Sequence, residues 1–263
     1  MGSLNDAALS VEPVAGHPAL IAGTDNPSVV IADLHVGMGD DFENRGVYTG
    51  RQIERMLAEI IGLSSYGNRL IILGDLRHEF SAVNSRSAIP DFMSKLLEYY
   101  SKIELVPGNH DGLIVRQLPQ RVIVHPPGGF TSGDIAFTHG HTWPEEEMMK
   151  RKILLMGHLH PAIEFVDSLG NSYIEKCWLR APFRKRDPTS TYRRLPEEVV
   201  VVPAFNPFLT GTPVNRDPGG LGPLFRNRLI EVRKSRLYLL DGTFLGRLAT
   251  NVIRGEGKTR KNN

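Results

Sequence analysis

The sequence predicts an α/β fold, and three observations carry the prediction. Short, almost wholly apolar runs recur, SVVIA at 28–32, RLIIL at 69–73 and IELV at 103–106. Such runs suit strands covered on both faces. Between them lie apolar residues at helical spacing: Ile53, Met56, Leu57, Ile60 and Ile61, then Phe92, Met93, Leu96 and Leu97. Beyond residue 111 the pattern changes to strands with short links. Strand and helix alternating in this way imply right-handed crossovers in one sheet. The strand-rich remainder implies a second sheet, giving a two-sheet sandwich with helices outside.

Taken in order, Val11–Val14 and Ala19–Ala22 flank a Gly16-His17-Pro18 turn. Ser28–Ala32 is the first buried strand. A helix from about Gly50 to Ser64 follows, with Thr49 as its expected cap. Arg69–Leu73 is the next strand, Ile89–Tyr100 the next helix, and Ile103–Val106 the strand after it. Further strands are expected at Arg121–Val124, Ile135–Thr138, Ile153–Met156, Ala162–Asp167 and Ser172–Trp178, with Gly170-Asn171 as a hairpin signal. Val199–Val202, Leu229–Glu231 and Leu237–Leu240 complete the set. Segments 184–198 and 212–227, rich in Pro, Gly and Arg, read as exposed loops. The chain reads as one domain over 1–253, with 254–263 a disordered basic tail.

Composition narrows the function. A hydrophobic fraction of 41% and a charged fraction of 23% are ordinary for a globular protein. No apolar run approaches the roughly 18 residues of a membrane span, and MGSLNDAALS lacks the basic and apolar parts of a signal peptide. The lone Cys177 excludes an internal disulfide and a thiolate metal cluster, which favours a cytoplasmic setting. Charge is uneven: residues 1–179 carry 14 Lys+Arg against 22 Asp+Glu, a balance of −8, and residues 180–263 carry 17 against 7, a balance of +10. A basic rear attracts polyanions, and Arg180, Arg184, Lys185, Arg186, Arg193 and Arg194 are its candidate contacts.

The chemistry sits where the apolar runs end. SVVIA is followed by Asp33-Leu34-His35, RLIIL by Gly74-Asp75 and then His78, and IELV by Asn109-His110-Asp111. DIAFT is followed by His139-Gly140-His141, and ILLM by Gly157-His158-Leu159-His160. Seven of the nine histidines fall in these places; His17 and His125 alone lie elsewhere and read as structural. PGNHD by itself is also an ordinary turn sequence. Repetition at five strand ends argues for more, because ligands bind beyond the carboxyl ends of the strands in open α/β sheets. Imidazole, carboxylate and amide donors without thiolate suit Mn²⁺, Fe²⁺, Zn²⁺ or Ni²⁺. In an extended segment, Asp33-x-His35 and His158-x-His160 would each point two side chains the same way. A carboxylate can bridge two cations, and two cations about 3.5–4 Å apart clamp the oxygens of a phosphoryl transfer.

The series DLH, GDLRH, GNHD, THGH and GHLHP resembles the calcineurin-like metallophosphoesterases. Within them it is most similar to archaeal phosphoesterases related to SbcD-type nucleases and to phosphoesterases associated with bacterial DNA ligases and helicases. The motifs span 33–160, and PAFNPFLTG at 203–211 extends the likeness. The resemblance implies a two-sheet α/β/β/α sandwich and two divalent metal ions, Mn²⁺ foremost. One would be held by Asp33, His35, Asp75 and His160, the other by Asp75, Asn109, His139 and His158. His110 would act as general acid. His78 would bind the scissile phosphate, against the alternative of a surface histidine. Asp111 would orient His110 or cap the next segment.

In THGH either histidine could ligate; the strand-end position favours His139 and leaves His141 either behind the ligands or facing substrate. Arg184 and Arg186 are the remaining substrate-binding candidates. Asp40, Asp41 and Glu43 read as a solvated loop, Glu145–Glu147 as a helix start, and Cys177 as a buried filler. Trp143 and Pro144 either wall the cleft or pack. The expected reaction is metal-dependent hydrolysis of a DNA or RNA phosphodiester, and the resemblance implies a helicase or ligase partner; the alternatives are a small cyclic nucleotide or phosphomonoester as substrate, or a non-catalytic scaffold of the same fold.

Overall fold

The computed structural model describes residues 10–23, 26–49, 51–78, 83–184, 192–216 and 222–253. Six strands form the first sheet in chain order: β1 (Val11–Pro13), β2 (Ala19–Ala22), β3 (Ser28–Ala32), β4 (Arg69–Leu73), β5 (Lys102–Val106) and β6 (Val122–Val124). The first three pair antiparallel; β3 to β6 are parallel. Three helices lie in the connections, α1 (Met38–Asn44), α2 (Gln52–Leu63) and α3 (Val83–Tyr99). The apolar face of α2 (Met56, Leu57, Ile60) joins Phe92, Met93 and Leu96 of α3 over the outer side of the sheet.

The second sheet has nine strands among the described residues. They are β7 (Phe130–Ser132), β8 (Ile135–Thr138), β9 (Ile153–Met156), β10 (Pro161–Val166), β11 (Ser172–Pro182), β12 (Glu198–Val201), β13 (Thr212–Pro213), β14 (Arg236–Leu239) and β15 (Phe244–Arg247). Their order is β13-β10-β11-β12-β9-β8-β7, and β14 pairs with both β11 and β15.

Strand periodicity builds the layers. Val29 and Ile31 face the helices, whereas Val30 and Ala32 face the second sheet. Leu70 and Ile72 alternate with Ile71 and Leu73 in the same way. The inter-sheet core adds Phe137, Leu155, Trp178 and Val200 from the other side. Each fully buried side chain of this size contributes roughly 1.5–3 kcal/mol by leaving water. The outer face of the second sheet is covered by Met148, Met149, Leu224, Phe225 and Leu229. Helix there is confined, among the described residues, to α4 (Pro223–Arg226) and short 3-10 turns. The α/β/β/α sandwich is therefore present with one thin outer layer.

Several expectations need correcting. Thr49 does not cap α2: Arg51 stands at the N-cap, and the Thr49 hydroxyl donates to Glu43 Oε1 at 2.5 Å. Helix α3 begins at Val83 and carries Pro90 inside it. The acidic segment after Gly37 is helical, as α1. Glu145–Glu147 precede only a 3-10 turn at Met148–Lys150. Leu229–Glu231 is no strand; Ile230 makes a single bridge to Phe183. Strands β7, β13 and β15 had no clear apolar signal. The 254–263 tail lies outside the described residues. No helix among the described residues is long and apolar enough to cross a membrane.

Candidate metal centre

The residues that follow β3, β4, β5, β8 and β9 converge. Ligand atoms of Asp33, His35, Asp75 and His160 all lie within 4.8 Å of one another, and so do those of Asp75, His139 and His158. Asp75 belongs to both groups. Asn109 joins the second: its Oδ1 lies 3.3 Å from His139 Nε2. All seven side chains expected to gather at the site are thus brought together.

The backbone does this differently from the expected extended alternation. Asp33, His35, Asp75, His158 and His160 have φ of 56°, 43°, 47°, 70° and 45°. Left-handed backbone costs an L-residue roughly 1–2 kcal/mol, so the surrounding structure must hold each one. The β3–β4 ladder continues past the strand ends to do so: Asp33 N donates to Gly74 O at 3.1 Å and His35 N to Asp75 O at 2.8 Å. The kinks, not strand alternation, turn both members of each pair into one pocket. Gly108 marks the closest approach, since a Cβ there would overlap the Asp75 carboxylate and amide.

Hydrogen bonds set the tautomers. His139 Nδ1 lies 2.9 Å from the Leu73 carbonyl and donates to it, which turns Nε2 toward Asp75 Oδ2 at 3.4 Å. His110 Nδ1 donates to the His78 carbonyl at 2.6 Å, leaving Nε2 facing Asp75 Oδ2 at 4.0 Å. His78 lies beside the group, its Nδ1 3.4 Å from His35 Nδ1, its ring stacked 6.3 Å from that of His110. The His141 ring is 5.1 Å from that of His139 and 6.2 Å from that of His158, at the pocket wall rather than in either group.

The electrostatics fit a cation. Buried His35 Nε2 and His160 Nε2 lie 3.6 Å from Asp75 Oδ2 and 3.2 Å from Asp33 Oδ1 without forming a hydrogen bond; a ligand position would resolve that cost. Burial lowers the pKa of His35, His141 and His158 to about 4, so these imidazoles are neutral at pH 7, as ligation requires. Burial acts the same way on His139, but Asp75 as hydrogen-bond partner and the charges of Asp33 and Asp75 outweigh it and raise its pKa to about 9. Burial also opposes the Asp75 charge, yet His139 and the His110 amide hold it well below the carboxylate range. The pocket has an excess of negative potential.

Asp111 does not touch the His110 ring. Its oxygens accept the amides of Gly108 at 2.9 Å and of Leu76 and Arg77 at 3.2 Å, tying the loops after β4 and β5 together. Its carboxylate neither orients the His110 ring nor caps the segment that follows; every amide it accepts lies before it in the chain. Arg77, 1% exposed, reinforces the same junction by donating to the His110 carbonyl at 3.0 Å.

Arg184 is corrected outright. Pro182 pairs with Glu198, which pairs with Ile153 at the start of β9, whereas His158 follows its end. Arg184 is therefore exposed at the opposite end of the sheet. Arg180, near it, is held by Glu198 at 3.0 Å. Arg186 lies outside the described residues.

Sequence reasoning missed Asn206 and Lys176. Asn206 is fully buried; its Nδ2 donates to the carbonyls of Leu34 at 2.8 Å and His35 at 3.2 Å, and its Oδ1 accepts from Gln52 Nε2 at 2.6 Å. Lys176 Nζ donates to the carbonyls of Ala204 at 2.7 Å and Asn206 at 2.6 Å, and burial lowers its pKa to about 8. The motif PAFNPFLTG was the available signal.

A two-sheet sandwich with overlapping acid–imidazole groups at its strand ends defines a metallophosphoesterase. The comparisons agree. Residues 27–189, more than half of the chain, match the calcineurin-like phosphoesterase family, and the chain belongs to that family. Among solved structures, it is similar to the nuclease MPE of Pseudomonas putida, with 20% identity, 90% of this chain and 100% of that chain covered, and a TM-score of 0.52. That likeness is one of fold. A double mutant of Vps29 from Entamoeba histolytica matches at 15% identity over 56% of this chain and 71% of that one, with a TM-score of 0.25, too low to argue from. No curated protein matches the chain.

Proposed function

We propose that the protein is a metal-dependent phosphodiesterase acting on nucleic acid. The observation that carries the reading is the pair of ligand groups sharing Asp75. Asp33, His35, Asp75 and His160 would hold one divalent cation, and Asp75, Asn109, His139 and His158 the other. When bound, two such cations supply positive charge to the phosphoryl oxygens and acidify water. The chain's own groups do the rest. His110, fixed through Nδ1 by the His78 carbonyl, presents Nε2 to the pocket and gives its proton to the leaving oxygen. His78 flanks His35 and His110 and binds the phosphate. His141 lines the wall on the other side. The Pseudomonas putida structure is that of a nuclease, and this likeness and the motif series support nucleic acid as the substrate.

A second reading, hydrolysis of a small phosphodiester, is favoured by one observation. Of the arginines expected to grip a polyanion, Arg184 belongs to the far end of the sheet and Arg180 is engaged by Glu198. One screen separates the two. Metal-stripped protein is supplied with Mn²⁺, Fe²⁺, Zn²⁺ or Ni²⁺ and offered single-stranded DNA, RNA, bis-p-nitrophenyl phosphate and a phosphomonoester. Metal-dependent cleavage of an oligonucleotide that Asp75→Asn abolishes is expected. Hydrolysis of nothing, or a full rate in the Asp75→Asn variant, overturns the proposal; turnover of the small diester alone leaves the second reading.

A further inference from the structure

The protein has two tryptophans, and they sit in opposite environments. Trp178 is 1% exposed in the inter-sheet core, whereas Trp143 is 47% exposed. Leaving an indole in water forgoes a large hydrophobic gain, so its setting is informative. Trp143 stands two residues after His141, whose ring is 5.1 Å from that of His139. Two residues span at most about 7 Å of backbone, which puts Trp143 within reach of a nucleotide neighbouring one seated at the metal centre.

The loop that carries it is fixed. Thr142 Oγ1 donates to the Pro127 carbonyl at 3.1 Å, and Tyr192 Oη donates to the Pro144 carbonyl at 2.6 Å. The Tyr192 ring lies 6.0 Å from that of Trp143 at an interplanar angle of 51°. Tyr192 thereby continues the aromatic surface, and the next residues in the chain are Arg193 and Arg194. Their side chains border an open cleft with Lys150 and Glu146.

Charge in this cleft favours an anion. Three glutamates, 145–147, follow Trp143, but Glu147 is engaged by Lys150 at 2.8 Å and by Arg151. Glu146 accepts the Arg193 amide at 3.3 Å. Among the described residues, the Arg193 and Arg194 guanidinium groups have no ion pair or hydrogen bond. A fixed aromatic pair, Trp143 exposed and Tyr192 half-buried, that leads into uncommitted arginines combines the two elements of a single-strand track: a stacking face and a backbone charge.

We propose that Trp143 and Tyr192 form a stacking shelf for an unpaired base, and that Arg193 and Arg194 hold the backbone phosphates of the same strand beyond it. This deepens, and rests on, the nucleic-acid reading above, and it names the substrate class as single-stranded. A duplex keeps its base faces inside the stack and cannot use the shelf. The shelf also replaces Arg180 and Arg184 as the polyanion contact.

The test is binding by the full chain in chelator, so that no cleavage intervenes. The probes are a fluorescein-labelled single-stranded deoxyoligonucleotide and the blunt duplex of the same sequence. The single strand is expected to bind more tightly than the duplex and to quench tryptophan emission, through Trp143 rather than the buried Trp178. Trp143→Ala weakens single-strand binding by about tenfold to a hundredfold, and Trp143→Phe by less. The double variant Arg193→Ala/Arg194→Ala weakens it and lowers the salt slope by about 1.4, at ~0.7 per phosphate contact. Arg184→Ala, at the far end of the sheet, stays within twofold.

Equal binding of duplex, affinity within twofold in both the Trp143→Ala and the double-arginine variants, or an equal loss in Arg184→Ala overturns the shelf. The reaction itself is tested separately by wild-type turnover of bis-p-nitrophenyl phosphate with metal. Absence of that turnover together with absence of metal-dependent oligonucleotide cleavage sinks the catalytic reading while the binding result still decides the shelf.

Discussion

Replacing Asn206 by alanine tests whether the second layer positions the first. The side chain joins three elements: it accepts from Gln52 Nε2 at 2.6 Å and from the Phe208 amide at 2.9 Å, and donates to the carbonyls of Leu34 and His35. In Asn206→Ala the buried Gln52 amide loses its acceptor, and an orphaned buried donor costs roughly 1–3 kcal/mol. The Leu34 carbonyl loses a neutral hydrogen bond, a net ~1 kcal/mol. The His35 carbonyl keeps the Met38 amide at 3.1 Å, and the half-buried Phe208 amide can turn to water, so these add little. The sum is about 3 kcal/mol, against a typical total of 5–15. With a urea slope of roughly 3 kcal/mol/M, the unfolding midpoint falls by about 1 M. Metal affinity, measured by titration calorimetry, should drop about tenfold to a hundredfold, because the lost bonds fix the backbone of Leu34 and His35. Asn206→Asp keeps the acceptor and sets a carboxylate against two carbonyls, so it should resemble the alanine variant. A midpoint within 0.2 M of wild type, with superimposable metal titrations, would refute the reasoning.

Three further outcomes are expected. His110→Ala lowers kcat by roughly 10²–10⁴ while metal content, measured by elemental analysis, is unchanged; a full rate removes His110 from the acid role. Gly108→Ala drives a methyl into Asp75 and cuts metal content at least about tenfold, whereas Gly62→Ala on α2, where a Cβ meets nothing within 4 Å, does not. Burial disfavours the Glu104 charge, but His125, Arg69 and Lys102 hold its pKa down at about 2, below the ordinary 4.5. Between those values the unfolded chain binds a proton that the folded chain does not. Its stabilisation is therefore complete above about pH 4.5 and is lost as pH falls toward 2. The ceiling is about 3 kcal/mol at 1.36 kcal/mol per pKa unit, and Glu104→Gln should flatten the acid limb of a urea-midpoint profile. Parallel profiles for the two proteins would count against the assignment.

The centre was legible in the sequence because parallel strands buried on both faces must be apolar, so Asp33, Asp75, Asn109, His139 and His158 stand out where β3, β4, β5, β8 and β9 stop. What remained hidden has physical causes. Nothing in Asp-x-His announces a positive φ, since the conformation is imposed by the ladder beside it. Asn206 meets Leu34 across 172 positions, and its type alone suits a turn as well as a junction. The +10 balance of residues 180–263 counts charges without saying which end of a strand they occupy. Arg184 followed β11 to the far end, and Arg193 and Arg194 came to lie near Trp143. Short strands such as β7 and β15 draw their order from neighbours rather than from their own residues.

Each ligand group draws on both sheets. Asp33, His35 and Asp75 leave the first, and His139, His158 and His160 leave the second. An ion in either group would act as a rivet through the two layers of the sandwich. Its binding energy would then count toward folding, about 4 kcal/mol at a thousand times its dissociation constant. Starvation for metal would cost such a protein its durability along with its turnover.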